Sequence, residues 1–300
     1  MKRILIAAAA LALTFGASAQ KSIVKVPCNA DKTIKSWNNK RAPHSNEETK
    51  DEWRDKRGNF KNTSQTVFYL YKADKRCATG QGVIILPGGG YGSVCIEREG
   101  FYLAEYLQSI GITAMVVKYR LPNNGHKEVP LEDVQEAMRY MRKHGKRWGV
   151  DATKVGVAGS SAGGHLAAYT CNFTEEGQKP AFAILFYPVI DSDLAVTHKG
   201  SIIRLLGKDA TQELREKYAL HKCVTTTTPP TIILLSQNDG TVRPINSQLY
   251  YDALKQNGVK TEMHTFESGG HGWVGRKNFR HEKEWKQVLE KWLKELNEQK

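Results

Sequence analysis

The sequence predicts an α/β fold: a mostly parallel central sheet with helices on both faces and a small cap insertion. Three observations predict it. From residue 66 onward, short apolar runs of strand length alternate with segments of helical spacing, the order expected of strand–helix–strand units. The pentapeptide Gly159-Ser160-Ser161-Ala162-Gly163 lies between a strand-like run and a helix-like run. The chain has 300 residues, 40% hydrophobic and 25% charged, which is enough to bury one large core.

Each element follows from its own residues. Residues 1–19 read as a signal peptide: basic Lys2-Arg3, an apolar run over 4–15, and an Ala17-Ser18-Ala19 cleavage site. The mature chain is expected to begin at Gln20 and to be exported, to a periplasm or to the medium. No cysteine adjoins the cleavage site and no later segment reads as transmembrane, so neither a lipid nor a membrane anchor is expected. Residues 20–62 are polar and irregular, with Trp37 and Trp53 as isolated apolar anchors. They read as an extension strapped over a domain at 63–298.

Residues 66–71 alternate as a strand does, and 83–86 form a continuous apolar run, as in a strand covered on both faces. Residues 101–109 read as a helix and 112–117 as a strand. Helical spacing of Val134, Ala137, Met138 and Met141 predicts a helix over 131–147. Further strands are predicted at 154–158, 181–187, 231–235 and 260–266. Residues 248–257 form a helix that stops at Gly258, and 282–296 an amphipathic final helix. Residues 191–228 are the longest insertion between strands, on the side where a cap would sit.

Strand, Gly-x-Ser-x-Gly and helix make a nucleophile elbow, a turn so tight that it pushes the serine hydroxyl out over the sheet edge. Ser161 is therefore the candidate nucleophile. A hydroxyl needs a base to take its proton, and the base needs a third group to fix its tautomer. On such a fold the order is Ser, then acid, then His. Asp239 follows the strand at 231–235, and His271 lies in the glycine-rich loop after the strand at 260–266. Both fall on the rim outside the carboxyl ends of the strands, where open α/β sheets bind ligands. Glu267 is a rival acid but sits too close to His271 in sequence to face it easily. The remaining histidines lie on helices, strands or polar loops without such placement. Gly89 and Gly90, in Pro87-Gly88-Gly89-Gly90-Tyr91, and the N–H of Ala162 are the candidate oxyanion hole.

Lys and Arg number 44 against 31 Asp and Glu, a net charge of +13. Loss of Lys2 and Arg3 with the leader would leave about +11. The basic residues are scattered along the chain (Lys72, Lys75, Arg76, Lys143, Lys146, Arg147), with no dense tract, so no nucleic-acid partner is expected. The five cysteines match no zinc pattern, and an odd count leaves at least one thiol free. No disulfide, metal or organic cofactor is required by the proposed chemistry.

Several motifs taken together carry a family resemblance: Pro87-Gly88-Gly89-Gly90-Tyr91 with Glu99-Gly100, Tyr119-Arg120-Leu121-Pro122, Leu131-Glu132-Asp133, the Ser161 segment through Ala168, Tyr187-Pro188-Val189-Ile190, Pro229-Pro230 and Gly269-Gly270-His271-Gly272. As a set they resemble the α/β-hydrolase esterases near the hormone-sensitive-lipase group. They are similar to bacterial carbohydrate acetyl esterases and bifunctional acetyl/feruloyl esterases, the acetylxylan esterases among them. The resemblance implies a serine carboxylesterase acting on acetylated plant polysaccharides or oligosaccharides such as xylan. It carries nucleophile, acid and base onto Ser161, Asp239 and His271, and implies that Arg120 and Asp133 are structural partners. Pro87 departs from the lipase-type loop, which has His there. The hole must then rest on backbone amides. Two other readings stay open on sequence: a prolyl-oligopeptidase-type peptidase, and a non-catalytic carbohydrate-binding protein on the same fold.

Overall fold

The computed structural model describes residues 28–298, so the expected leader lies outside the described residues. The chain enters through β1 (Lys32–Asn38) and a two-stranded hairpin, β2 (Trp53–Arg54) with β3 (Phe60–Lys61). It then builds the sheet from β4 (Gln65–Tyr71), β5 (Gly82–Leu86), β6 (Thr113–Lys118), β7 (Val155–Ser160), β8 (Ala183–Phe186), β9 (Thr231–Ser236) and β10 (Thr261–Phe266). Eight strands lie in the order β1-β4-β6-β5-β7-β8-β9-β10. β4 runs antiparallel to both β1 and β6, and all other pairs are parallel.

Every residue of β5 through β9 is buried, which explains their near-continuous apolar sequences: a strand with helices on both faces has no solvent side. The helices are α1 (Tyr102–Ser109), α2 (Glu128–His144) and α3 (Ala162–Phe173), then α4 (Lys199–Leu206) and α5 (Gln212–Lys217) in the insertion at 191–228, then α6 (Ile245–Gln256) and α7 (Glu282–Glu298). α2 packs on α3. α1 meets α7 through the Tyr106 and Trp285 rings, whose centroids are 5.3 Å apart. α7 buries Trp285, Leu289, Trp292 and Leu293, the 3.6-residue stripe read from the sequence. Each such side chain contributes about 1.5–3 kcal/mol by leaving water.

Three expectations are corrected. The segment read as irregular supplies β1, which pairs with β4 as the edge of the main sheet. Its sequence, KTIKSWN, is polar because an edge strand has one paired side and, here, much exposed surface. Trp37 is no isolated anchor: its indole N–H donates to Asp133 Oδ1 at 2.6 Å. The helix expected over 131–147 begins at Glu128, three residues earlier; Pro130 falls in its first turn, where a missing N–H costs nothing. Asp133 also receives the Arg120 guanidinium, Nη2 to Oδ1 at 2.8 Å, and both side chains are fully buried. This is the partnership the resemblance implied.

Candidate active site

Parallel strands put their carboxyl ends on one edge. Leu86 of β5 is level with Gly159, and Ser160 of β7 is level with Phe186. Phe266 of β10 is level with Ser236 of β9. The loops that leave these ends carry Gly88–Gly90, Ser161, Asp239 and His271, so the sheet gathers four distant segments on one rim.

Ser161 sits in the elbow with φ +56° and ψ −120°. A non-glycine residue held at positive φ costs of order 1–3 kcal/mol, and the surroundings must enforce it. The flanking glycines explain how the turn closes. A Cβ on Gly159 would stand 2.1 Å from Gly163 O, and one on Gly163 would stand 1.9 Å from Leu86 O.

Ser161 Oγ lies 2.8 Å from His271 Nε2, and His271 Nδ1 lies 2.6 Å from Asp239 Oδ2. Asp239 Oδ1 accepts the N–H groups of Thr241 and Val242, each at 2.9 Å. Those two bonds fix the carboxylate so that its other oxygen faces the imidazole. Gly270 N–H donates to Asn238 Oδ1 at 2.9 Å and ties the histidine loop to the aspartate loop. The Tyr187 ring meets the His271 ring edge-on, centroids 4.7 Å apart. The structure thus brings Ser161, Asp239 and His271 into one hydrogen-bonded line. Glu267 takes no part in it.

The glycine loop lies against the elbow: a Cβ on Gly88 would be 2.9 Å from Ser161 Cβ. The Gly88 N–H is occupied by Glu99 Oε2 at 2.7 Å. The Gly89 and Gly90 amides have no protein acceptor among the described residues. Ala162 opens α3, where a first-turn N–H has no intrahelical acceptor. Three amides are therefore free to receive an oxyanion.

Sequence reasoning gave the other residues around the site no catalytic role. Glu99 is buried, accepts Gly88 N–H with one oxygen and the Tyr187 hydroxyl, at 3.2 Å, with the other. Burial pushes its carboxyl above the usual range, against the opposing pull of His271. His198, set aside with the other histidines, lines the cleft with Ser161 and His271, because the insertion folds back over the rim. Its Nδ1 lies 2.8 Å from Ser201 Oγ, and burial lowers its pKa. Cys95 also lines this cleft of about 350 Å³. Burial pushes its thiol up to about 12, which keeps it protonated and unreactive. His165 is carried away from the hydroxyl, as the helix geometry requires, and its Nδ1 pairs with Tyr91 Oη at 3.0 Å. Among the described residues, no cluster of His, Cys, Asp and Glu has the makings of a metal site.

Comparison with known proteins agrees with this architecture. Residues 83–275 match a family described as the alpha/beta hydrolase fold. An acetylxylan esterase of Xylanibacter ruminicola is 34% identical over 222 residues, 73% of this chain and 46% of that protein. An endo-1,4-beta-xylanase B of Butyrivibrio fibrisolvens is 31% identical over 63% of this chain and 32% of its own length. The chain thus spans less than half the length of these two relatives. The crystal structure of an acetyl ester-xyloside bifunctional hydrolase from Caldicellulosiruptor lactoaceticus superposes with a TM-score of 0.69 at 31% identity, covering 77% of this chain and 88% of that one.

Proposed function

Since the chain belongs to the α/β-hydrolase fold family, we propose that it is a serine carboxylesterase that removes acetyl groups from plant polysaccharides or oligosaccharides such as xylan. The observation that carries this reading is the continuous hydrogen-bond line from Ser161 through His271 to Asp239.

His271 Nε2 takes the Ser161 proton as Oγ attacks the acetyl carbonyl. Asp239 accepts the Nδ1 proton's hydrogen bond, which leaves Nε2 as the free base and stabilises the imidazolium. The N–H groups of Gly89, Gly90 and Ala162 receive the developing oxyanion, each worth about 2.7–4 kcal/mol in the transition state. The C–O bond to the sugar breaks, and His271 returns its proton to the leaving oxygen. Water, deprotonated by the same imidazole, then releases acetate from the acyl-serine. Nothing in these steps calls on a metal or an organic cofactor. Ser161, Asp239, His271 and the glycine loop all fall within the domain read at 63–298, and the leader-like residues 1–19 support export, with the substrate met outside the cytoplasm. Among the described residues, no helix is long and apolar enough to cross a membrane.

Ser161→Ala is expected to lower kcat on acetylated xylo-oligosaccharides by about 10⁴-fold or more, with an unchanged melting curve. Full activity in that variant would end the proposal. Labelling of Ser161 by an organophosphonate, read by mass spectrometry, distinguishes a catalytic serine from a binding protein on the same fold.

A further inference from the structure

Four arginines from distant parts of the sequence converge at the cleft. Arg57, Arg98, Arg204 and Arg276 line the same space as Ser161 and His271. All four are exposed, and none forms an ion pair among the described residues. The neighbouring carboxylates are otherwise engaged. Asp239 holds His271, Asp55 accepts the N–H groups of Arg57 and Asn59, and Glu97 pairs with Arg54. Glu99 is buried beneath Gly88 and Tyr187. The mouth of the site therefore carries a surplus of positive charge.

Three of these guanidinium groups are held by main-chain carbonyls. Arg204 Nη1 donates to Gly90 O and Gly200 O, each at 3.1 Å. Arg276 donates to Gly269 O at 3.3 Å and to His271 O at 2.5 Å, and Arg98 Nη2 reaches Gly272 O at 3.5 Å. A carbonyl orients a guanidinium without neutralising it. Arginine stays ionised at any working pH, and of its five N–H donors these contacts use one or two. The remaining fork suits a carboxylate. A neutral acetyl sugar has no group that needs it.

The side of the cleft is also given. Arg98 and Arg276 are anchored on the His271–Gly272 loop, and His271 is the group that returns a proton to the leaving alcohol. Arg204 is anchored on the oxyanion loop. Resting on the esterase reading above, we infer that the cleft selects acetyl esters whose alcohol carries a carboxylate near the scissile bond, a uronate-bearing acetylated oligosaccharide, held by Arg98 and Arg276.

The test compares kcat/KM of the full protein on three pairs at low and at 0.5 M salt. The first pair is a neutral acetylated xylo-oligosaccharide against one bearing a glucuronate beside the acetylated residue. The second is 4-nitrophenyl acetate against the 4-nitrophenyl hemiester of succinic acid, which moves the carboxylate to the acyl side. The third repeats the first with Arg98→Gln, Arg98→Lys and Arg276→Gln. We expect at least a 10-fold preference for the glucuronate substrate, expressed in KM and reduced by salt, since exposed charges are screened over about 10 Å at 0.1 M. The glutamine variants should bring the ratio towards one, and Arg98→Lys should restore part of it. An acidic-to-neutral ratio of one in the wild type, or a ratio that survives both glutamine variants, overturns the inference. A preference for the succinate hemiester alone overturns the alcohol-side assignment. Turnover of the neutral substrate with no preference sinks this inference but leaves the esterase reading standing, whereas no turnover of any acetyl ester sinks both.

Discussion

Ser161 and Glu99 show how single residues are set by their surroundings. Ser161 keeps a strained backbone because the groups around it leave no other path, and the strain points its hydroxyl at His271. Glu99 keeps a carboxyl out of water to hold the glycine loop, and burial raises its pKa. With the folded value above the unfolded one of about 4.3, the folded state holds the proton to higher pH. Stability is then full below the unfolded pKa and declines as pH rises through the folded one. Glu99→Gln should remove that decline, so the variant should gain stability relative to wild type between pH 4 and pH 7. Urea unfolding at the two pH values checks this, and an equal gap at both would exclude Glu99 ionisation as the source. His165 has the opposite sign. Burial pushes its pKa down to about 3, so its share of stability is present above the unfolded value of about 6.5 and is lost as pH falls towards 3. Its ring should show no protonation between pH 5 and 8 by NMR. Asp239→Asn, which upsets the His271 tautomer, should lower kcat by about 10⁴-fold at unchanged stability, measured on the acetyl substrate.

At the scale of elements, the elbow is the most constrained piece. An alanine at Gly163 would press its Cβ onto the Leu86 carbonyl, and main-chain atoms cannot swing away as a side chain can. Gly163→Ala should therefore cost about 1–3 kcal/mol or more in chemical denaturation, and lower activity even where it folds. The elements that could be read from the sequence were those with a local signal: fully buried β5 and β7 through β9 as unbroken apolar runs, α7 as an apolar stripe, the elbow as strand, glycines and helix. β1 had no such signal, since a polar edge strand is recognised only through its partner β4. Ser161, Asp239 and His271 could be picked out because strand ends in a parallel sheet share one rim. His198 and the four cleft arginines could not, because their positions depend on how the insertion and separate loops fold back. Trp37 couples β1 to α2: Trp37→Phe leaves the buried Asp133 one donor short and should cost about 1–3 kcal/mol, read from the urea midpoint.

Across the whole molecule, the sheet has one chemical edge and an aromatic wall beneath it. Trp273 stacks on Phe279 with centroids 4.6 Å apart, and Phe186 meets both Trp273 and Trp285 edge-on. Trp285 of α7 is fully buried in this wall. Trp285→Ala should lower stability by about 3–5 kcal/mol, visible as a large fall in melting temperature. The same wall stands behind the loop that carries His271, since Tyr187 contacts both the Trp273 and His271 rings. Ser161 and His271 are separated by 110 positions in the chain. Contacts of such long range form late when an unfolded chain collapses. After dilution out of denaturant, circular dichroism should regain its helical signal before ester turnover returns, so enzymatic recovery times the meeting of the Ser161 and His271 loops.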